Sequence, residues 1–177
     1  MTSTATEPEA SSREAGFVAA TIERCQEDKG LAARLRRADN PATEYQSWEW
    51  LAKWHVDLEK PWERLPWATI VAAIARAKPN ANGALRLGQA IGACFQDGIK
   101  DDQAKARLRR LLACSDTAEV CRILRPTLKL IESRVSQPLD YALLLRQLLN
   151  FHFHGERIRA QWAQEFYRQT TTEESPA

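Results

Sequence analysis

The chain has little of what β-architecture, metal binding and catalysis need. Glycine is scarce at seven of 177 residues and proline stands at eight, so sandwiches and barrels lack the turn residues they depend on. No segment alternates polar and apolar residues convincingly over a strand's length. The longest uncharged apolar run, Trp67 to Ala75, falls far short of the ~20 residues that cross a bilayer. Cys25, Cys94, Cys114 and Cys121 contain no CxxC pair, which argues against a zinc finger and for reduced, buried thiols acting as small hydrophobes. There is no Gly-rich phosphate loop, no GxSxG elbow and no HExxH. His152 and His154 sit two apart, on opposite sides of a helix, with no third ligand at a recognised spacing. The sequence offers no catalytic residue, no metal site and no cofactor site.

What is present is helix-forming. Long stretches of Ala, Leu, Arg, Gln and Glu lose little side-chain freedom in a helix, and the expected fold is all-α, a bundle of about eight helices without a sheet. Residues 1–15 and 170–177 have the composition of disordered tails, the first without the apolar stretch of a signal peptide, which places the protein in the cytoplasm. Residues 16–169 form the folded unit, divisible into sub-bundles 16–97 and 98–169.

Within that unit, Phe17 to Glu27 reads as a helix with Lys29-Gly30 as a left-handed stop, and Leu31 to Ala38 as a second. After Asn40-Pro41, Tyr45, Trp48, Leu51, Trp54 and Leu58 fall on one side of a third. Lys60-Pro61 and Leu65-Pro66 break the chain before an apolar helix through Ile70 and Ile74. Leu85 to Phe95 resumes, with Gly88 and Gly92 four apart to admit a close neighbour. Asp101 and Asp102 suit a helix start rather than an acid/base pair. The next helix buries Val120, Leu124, Leu128 and Ile131, with Pro126 expected to kink or break it. Gln137-Pro138 opens an almost wholly apolar helix that ends at Gly155, and a last helix starts at Glu156.

Charge is distributed unevenly. Between Asp39 and Glu63 six acids outnumber Lys53 and Lys60, whereas Ala104 to Arg134 carries a surplus of five positive charges in a chain of formal net charge +2. One surface should repel nucleic acid and another attract it. The cations Arg36-Arg37, Arg107-Arg109-Arg110, Arg122-Arg125-Lys129 and Arg157-Arg159 fall on helix faces or ends with few acids beside them. Arginine dominates these groups, and its planar guanidinium pairs bidentately with phosphate. Concentrated cations of this kind suit an anionic polymer. The tryptophans Trp48, Trp50, Trp54, Trp62 and Trp67 have helical spacing in acidic surroundings, which favours packing or a protein interface over base stacking. A helical protein–protein adaptor without nucleic-acid contact is the rival reading. A helix-turn-helix regulator fits badly, because the helix opening at Asp101-Asp102 lacks base-reading residues at its start.

The segments Gly30-Leu31-Ala32-Ala33-Arg34-Leu35-Arg36-Arg37-Ala38, Leu87-Gly88, Arg107-Leu108-Arg109-Arg110-Leu111-Leu112-Ala113, Pro138-Leu139-Asp140-Tyr141-Ala142-Leu143-Leu144 and Trp162-Ala163-Gln164-Glu165-Phe166-Tyr167 occur in this order. In sequence and spacing the chain resembles the CasB family, the small subunit of the type I-E CRISPR Cascade complex, from about Gly16 to Gln169. The stretch from Tyr45 to Asn82 departs from the pattern. The resemblance implies a non-enzymatic all-α protein, present as two copies, that contacts the large subunit, the RNA-coating backbone subunits, the guide RNA and the target and displaced DNA strands, and steadies the R-loop in antiviral defence. By position it implies roles for Arg36, Arg37, Arg107, Arg125, Arg157 and Arg159. Charge geometry alone adds Arg109, Arg110, Arg122 and Lys129, and the acidic Trp-bearing half is the expected docking face for protein.

Overall fold

The computed structural model describes residues 12–168. Among these, eight α-helices form and no strand: α1 Arg13–Glu27, α2 Lys29–Arg36, α3 Trp48–Lys53, α4 Pro61–Ala77, α5 Leu87–Ala93, α6 Asp102–Leu112, α7 Thr117–Arg134 and α8 Tyr141–Tyr167, with short 3-10 turns at Arg37–Asp39, Glu44–Ser47 and Gly98–Lys100. The all-α expectation is met. The expected tails lie outside the described residues except for 12–15, where α1 begins at Arg13, earlier than expected, because Ser12 Oγ accepts the Ala15 N–H at 3.2 Å and caps it.

Helix α4 is the axle of the bundle. Pro66 to Ala75 are buried without interruption, and the helix packs on α1, α2, α7 and α8, so a helix apolar nearly all round is surrounded by others. Trp67 is fully buried with Phe17 edge-on to it at 4.6 Å and 89°, and the Arg13 guanidinium lies over the ring at 4.8 Å. Each such side chain removed from water stabilises the fold by roughly 1.5–3 kcal/mol. The buried apolar residues from Phe17 to Phe166 form one core cluster drawn from both halves of the chain.

The expected break at Leu65-Pro66 does not occur. Pro61 sits in the first turn, where its missing N–H costs nothing, and Pro66 leaves only the Trp62 carbonyl, one turn in, without its i+4 donor. Burial of the ten residues from Pro66 outweighs that loss. Pro126 likewise sits within a continuous α7. The carbonyl it strands belongs to Arg122, and both residues are exposed, so water can take the missing donor's place. The helix expected after Pro41 is divided. A 3-10 turn at Glu44–Ser47 changes the register, burying Glu44 and Ser47 and turning Tyr45 outward to 60% exposure, and His55 at φ 58° ends α3 before Leu58. Lys29-Gly30 is not a stop. Asp28 closes α1 and caps α2, its carboxylate accepting the Leu31 N–H at 2.9 Å, which holds the carboxyl below its ordinary pKa range.

In the second half, Asp101, Asp116 and Asp140 each accept N–H groups from the first turn of α6, α7 and α8, and caps of this kind contribute about 1 kcal/mol each. Helix α8 starts at Tyr141, because Leu139 instead meets Leu85 in an isolated parallel bridge. Its backbone leaves helical geometry at His154 (φ −131°, ψ 32°), one residue before the expected boundary at Gly155, so α8 is the two expected last helices joined across a kink. Gly88 lets α5 touch α8: a Cβ there would sit 2.4 Å from the Trp162 carbonyl oxygen. Cys94, Cys114 and Cys121 are buried, Cys25 is half-buried, and all four are free thiols. No helix of the described residues is long and apolar enough to cross a membrane.

Candidate nucleic-acid interface

The buried stripe of α7 is Thr117, Val120, Cys121, Leu124, Thr127, Leu128 and Ile131. At 100° per residue this directs Arg122 and Lys129 almost straight outward and leaves Arg125 on a flank beside them. Arg122 and Lys129 are exposed and Arg125 is half-buried. The three cations therefore share one side of a helix about 27 Å long.

Other elements extend this line at both ends. At the corner between α6 and α7, Arg159 reaches over from α8 and donates to the Cys114 carbonyl at 2.8 Å. Burial pushes the Cys114 thiol above its ordinary pKa, Glu119 and Asp116 adding to the rise, while Arg122 and Arg159 oppose it, so both guanidiniums bear on this corner. Arg109 and Arg110 are exposed on the last turn of α6, immediately before it. At the other end, Lys129 pairs with Asp39 at 3.2 Å. Asp39 closes the 3-10 turn that carries Arg37, whose Nη1 donates to Gln46 Oε1 at 2.9 Å. The line thus runs from Arg109, Arg110 and Arg159, past Arg122, Arg125 and Lys129, to Arg37.

Three cations stand apart from it. Arg107 sits with Arg134 near Cys94 at the end of α5, where both oppose the burial that raises that thiol's pKa. Arg134 is engaged there, donating to the Cys94 carbonyl at 3.2 Å and lying over Phe95 at 5.3 Å. Arg157 points outward from α8, nearly opposite Arg159 around the helix, beside Arg146 and His154. Arg36 leans into a cleft of about 350 Å³ between α1, α2 and α4, lined also by Cys25, Lys29 and Lys78.

Of these ten cations, Lys129 is the one with a carboxylate within 4 Å among the described residues. Of the six acids between Asp39 and Glu63, by contrast, four are paired with cations. Glu44 pairs with Arg64 at 2.8 Å, Asp57 with Lys60 at 3.0 Å and Glu49 with Lys53 at 3.4 Å, while Asp39 binds both Arg76 and Lys129. The repelling surface expected from its acids is weakened accordingly, with Glu44 and Asp39 sequestered beneath arginines. The tryptophans there divide: Trp50 and Trp67 are core, Trp48 and Trp54 are half-buried, and Trp62 is 41% exposed.

Sequence reasoning misses Arg76 and Arg146. Arg76 binds Asp39 and Glu132 together, the latter at 2.5 Å from Nε, and so ties the Arg37 turn to α4 and α7. Its signal is its place as a lone charge ending an apolar helix. Arg146 lines one hollow with Asn150, His154 and Arg157; its spacing to Asn150 is visible in the sequence.

A family model for the CRISPR-associated protein Cse2 matches residues 31–167. The chain belongs to the Cse2 family. No curated protein matches the sequence significantly. Among solved structures, this Cse2-family chain is similar to CasB from M. ruber, at 23% identity and a TM-score of 0.68 over 89% of this chain and 93% of that one. A Cse2-family protein from Thermus thermophilus gives 22% identity and a TM-score of 0.65, covering 87% and 97%. CasB from Thermobifida fusca gives 18% and 0.63, covering 89% and 99%. At these identities the likeness speaks for the fold.

Proposed function

We propose that the protein is the non-catalytic small subunit of a type I-E Cascade complex, in which the basic line across α6, α7 and α8 grips DNA strands by their phosphates and steadies the R-loop. Its partners are the large subunit, the RNA-coating backbone subunits, the guide RNA and a second copy of the chain. The observation that carries the reading is the side of α7 bearing Arg122, Arg125 and Lys129, continued by Arg159 and Arg37, with one carboxylate contact among them. Exchange of a DNA duplex for a guide–target heteroduplex is nearly balanced in free energy, so contacts to backbone phosphates tip it without reading a base. Cations unpaired by acids need not break ion pairs before binding phosphate.

The test uses the assembled, guide-loaded complex with Arg110→Ala and Arg122→Ala combined, two exposed residues whose loss leaves no buried partner. The double variant assembles normally and its R-loop dissociates faster than that of the wild type. An unchanged R-loop lifetime with normal assembly would remove the line from the mechanism and favour the adaptor reading.

A further inference from the structure

Beside the kink of α8 at His154 lies an aromatic surface that the basic line does not include. Phe153, at the kink, is 70% exposed, an unusual setting for a phenyl ring. His152 meets it edge-on at 4.8 Å and 85°, and Trp62 from the first turn of α4 stacks on His152 at 5.6 Å and 18°. Three rings from two helices thus form one continuous ledge. Up to the kink at His154, Arg146, Asn150 and Phe153, spaced four and three, project along one outward stripe of α8, and beyond it Arg157 lines one hollow with Arg146, Asn150 and His154, all of them exposed. The kink at His154 separates Phe153 from Arg157 along the chain.

We infer that the Trp62–His152–Phe153 ledge is a base-stacking platform for single-stranded nucleic acid, with Arg146 and Arg157 holding the flanking phosphates. Every base presents a π-face, so exposed rings between cations bind unpaired strands without regard to sequence, whereas duplex bases are already stacked on one another. Charge favours this occupant over an apolar protein surface: neither Arg146 nor Arg157 has a carboxylate within 4 Å among the described residues, so both guanidiniums are available to phosphate. The inference rests on the strand-binding reading above and adds to it a second, chemically different contact that does not depend on charge.

That difference supplies the test. Binding of a fluorescently labelled oligothymidylate to the full-length chain is followed across a series of salt concentrations. Phe153→Ala weakens binding roughly 5- to 150-fold, the stacking contribution of about one base, and leaves the salt slope unchanged because no phosphate contact is lost. Phe153→Trp retains affinity and Phe153→Leu does not, although leucine restores apolar area. Arg157→Ala makes the slope shallower. Unchanged affinity in Phe153→Ala, or full rescue by Phe153→Leu, overturns the inference and leaves the ledge to a protein partner. A loss in Phe153→Ala alongside normal behaviour of the Arg110→Ala/Arg122→Ala variant would instead sink the basic line and keep the ledge.

Discussion

Replacing Arg76 by methionine tests how the bundle holds its basic turn in place. The side chains involved are withdrawn from water: Arg76 is 21% exposed, Asp39 10% and Glu132 14%. Removing the guanidinium strands two carboxylates, and breaking a buried pair in this way costs roughly 3–5 kcal/mol. Asp39 keeps Lys129 at 3.2 Å, which places the expected cost near the lower end, about 3 kcal/mol. For a chain of this size that corresponds to a fall in Tm of roughly 6–12 °C, read by circular dichroism at about pH 7.5. Acid should narrow the gap. Burial already raises the pKa of Glu132, with Arg76 opposing the rise, so the variant's carboxyl titrates higher still. A carboxyl raised on folding contributes stability that is present at low pH and lost as pH climbs through the folded-state value. The deficit of Arg76→Met is therefore larger at about pH 7.5 than at about pH 5. A deficit below about 1 kcal/mol, or one equal at both pH values, would refute the reasoning that Arg76 neutralises a buried acid pair.

Two further outcomes follow from the packing. Gly88→Ala forces a methyl to within 2.4 Å of the Trp162 carbonyl oxygen and 2.6 Å of the Phe166 nitrogen. Because those are backbone atoms that cannot rotate away, the variant loses about 1–3 kcal/mol or more in urea unfolding; equal midpoints would show that α5 and α8 separate freely. The pKa of Cys121 is pushed up to about 12, chiefly by burial, with the Thr69 hydroxyl and Arg125 opposing. Its contribution is intact below about pH 9 and fades as pH rises toward about 12, at up to about 1.4 kcal/mol per unit. Cys121→Ala should flatten the alkaline decline in stability between about pH 9 and about pH 10.5, and parallel declines in the two proteins would contradict it.

Most helices were legible because their apolar stripes repeat every three or four residues. Leu108, Leu111, Val120, Leu124 and Leu128 all lie where that period puts them. The errors arose where a local rule met a tertiary one. Pro66 reads as a breaker, yet it enters a helix in which the ten positions from it onward are walled in on every side. Tyr45 keeps the right spacing for a buried stripe, but a 3-10 turn advances the chain by a different angle per residue and brings Glu44 inward in its place. Of the interface, the α7 face could be read directly, since it needs only the pitch of one helix. That Arg159 joins it while Arg107 does not depends on how α5, α6 and α8 cross, and no pattern along a single element encodes such a crossing. Arg76 shows the same limit from the inside: its two partners lie 37 and 56 residues away.

The central claim is that unpaired cations on separate helices act together on phosphate. It is tested most directly by the salt dependence of oligothymidylate binding to the full-length protein and to Arg110→Ala/Arg122→Ala. Each single-strand phosphate contact adds about 0.7 to the slope of log affinity against log salt, so the account predicts a double-variant slope shallower by roughly 1.4, with an unchanged circular dichroism spectrum. Superimposable slopes and affinities for the two proteins would contradict it.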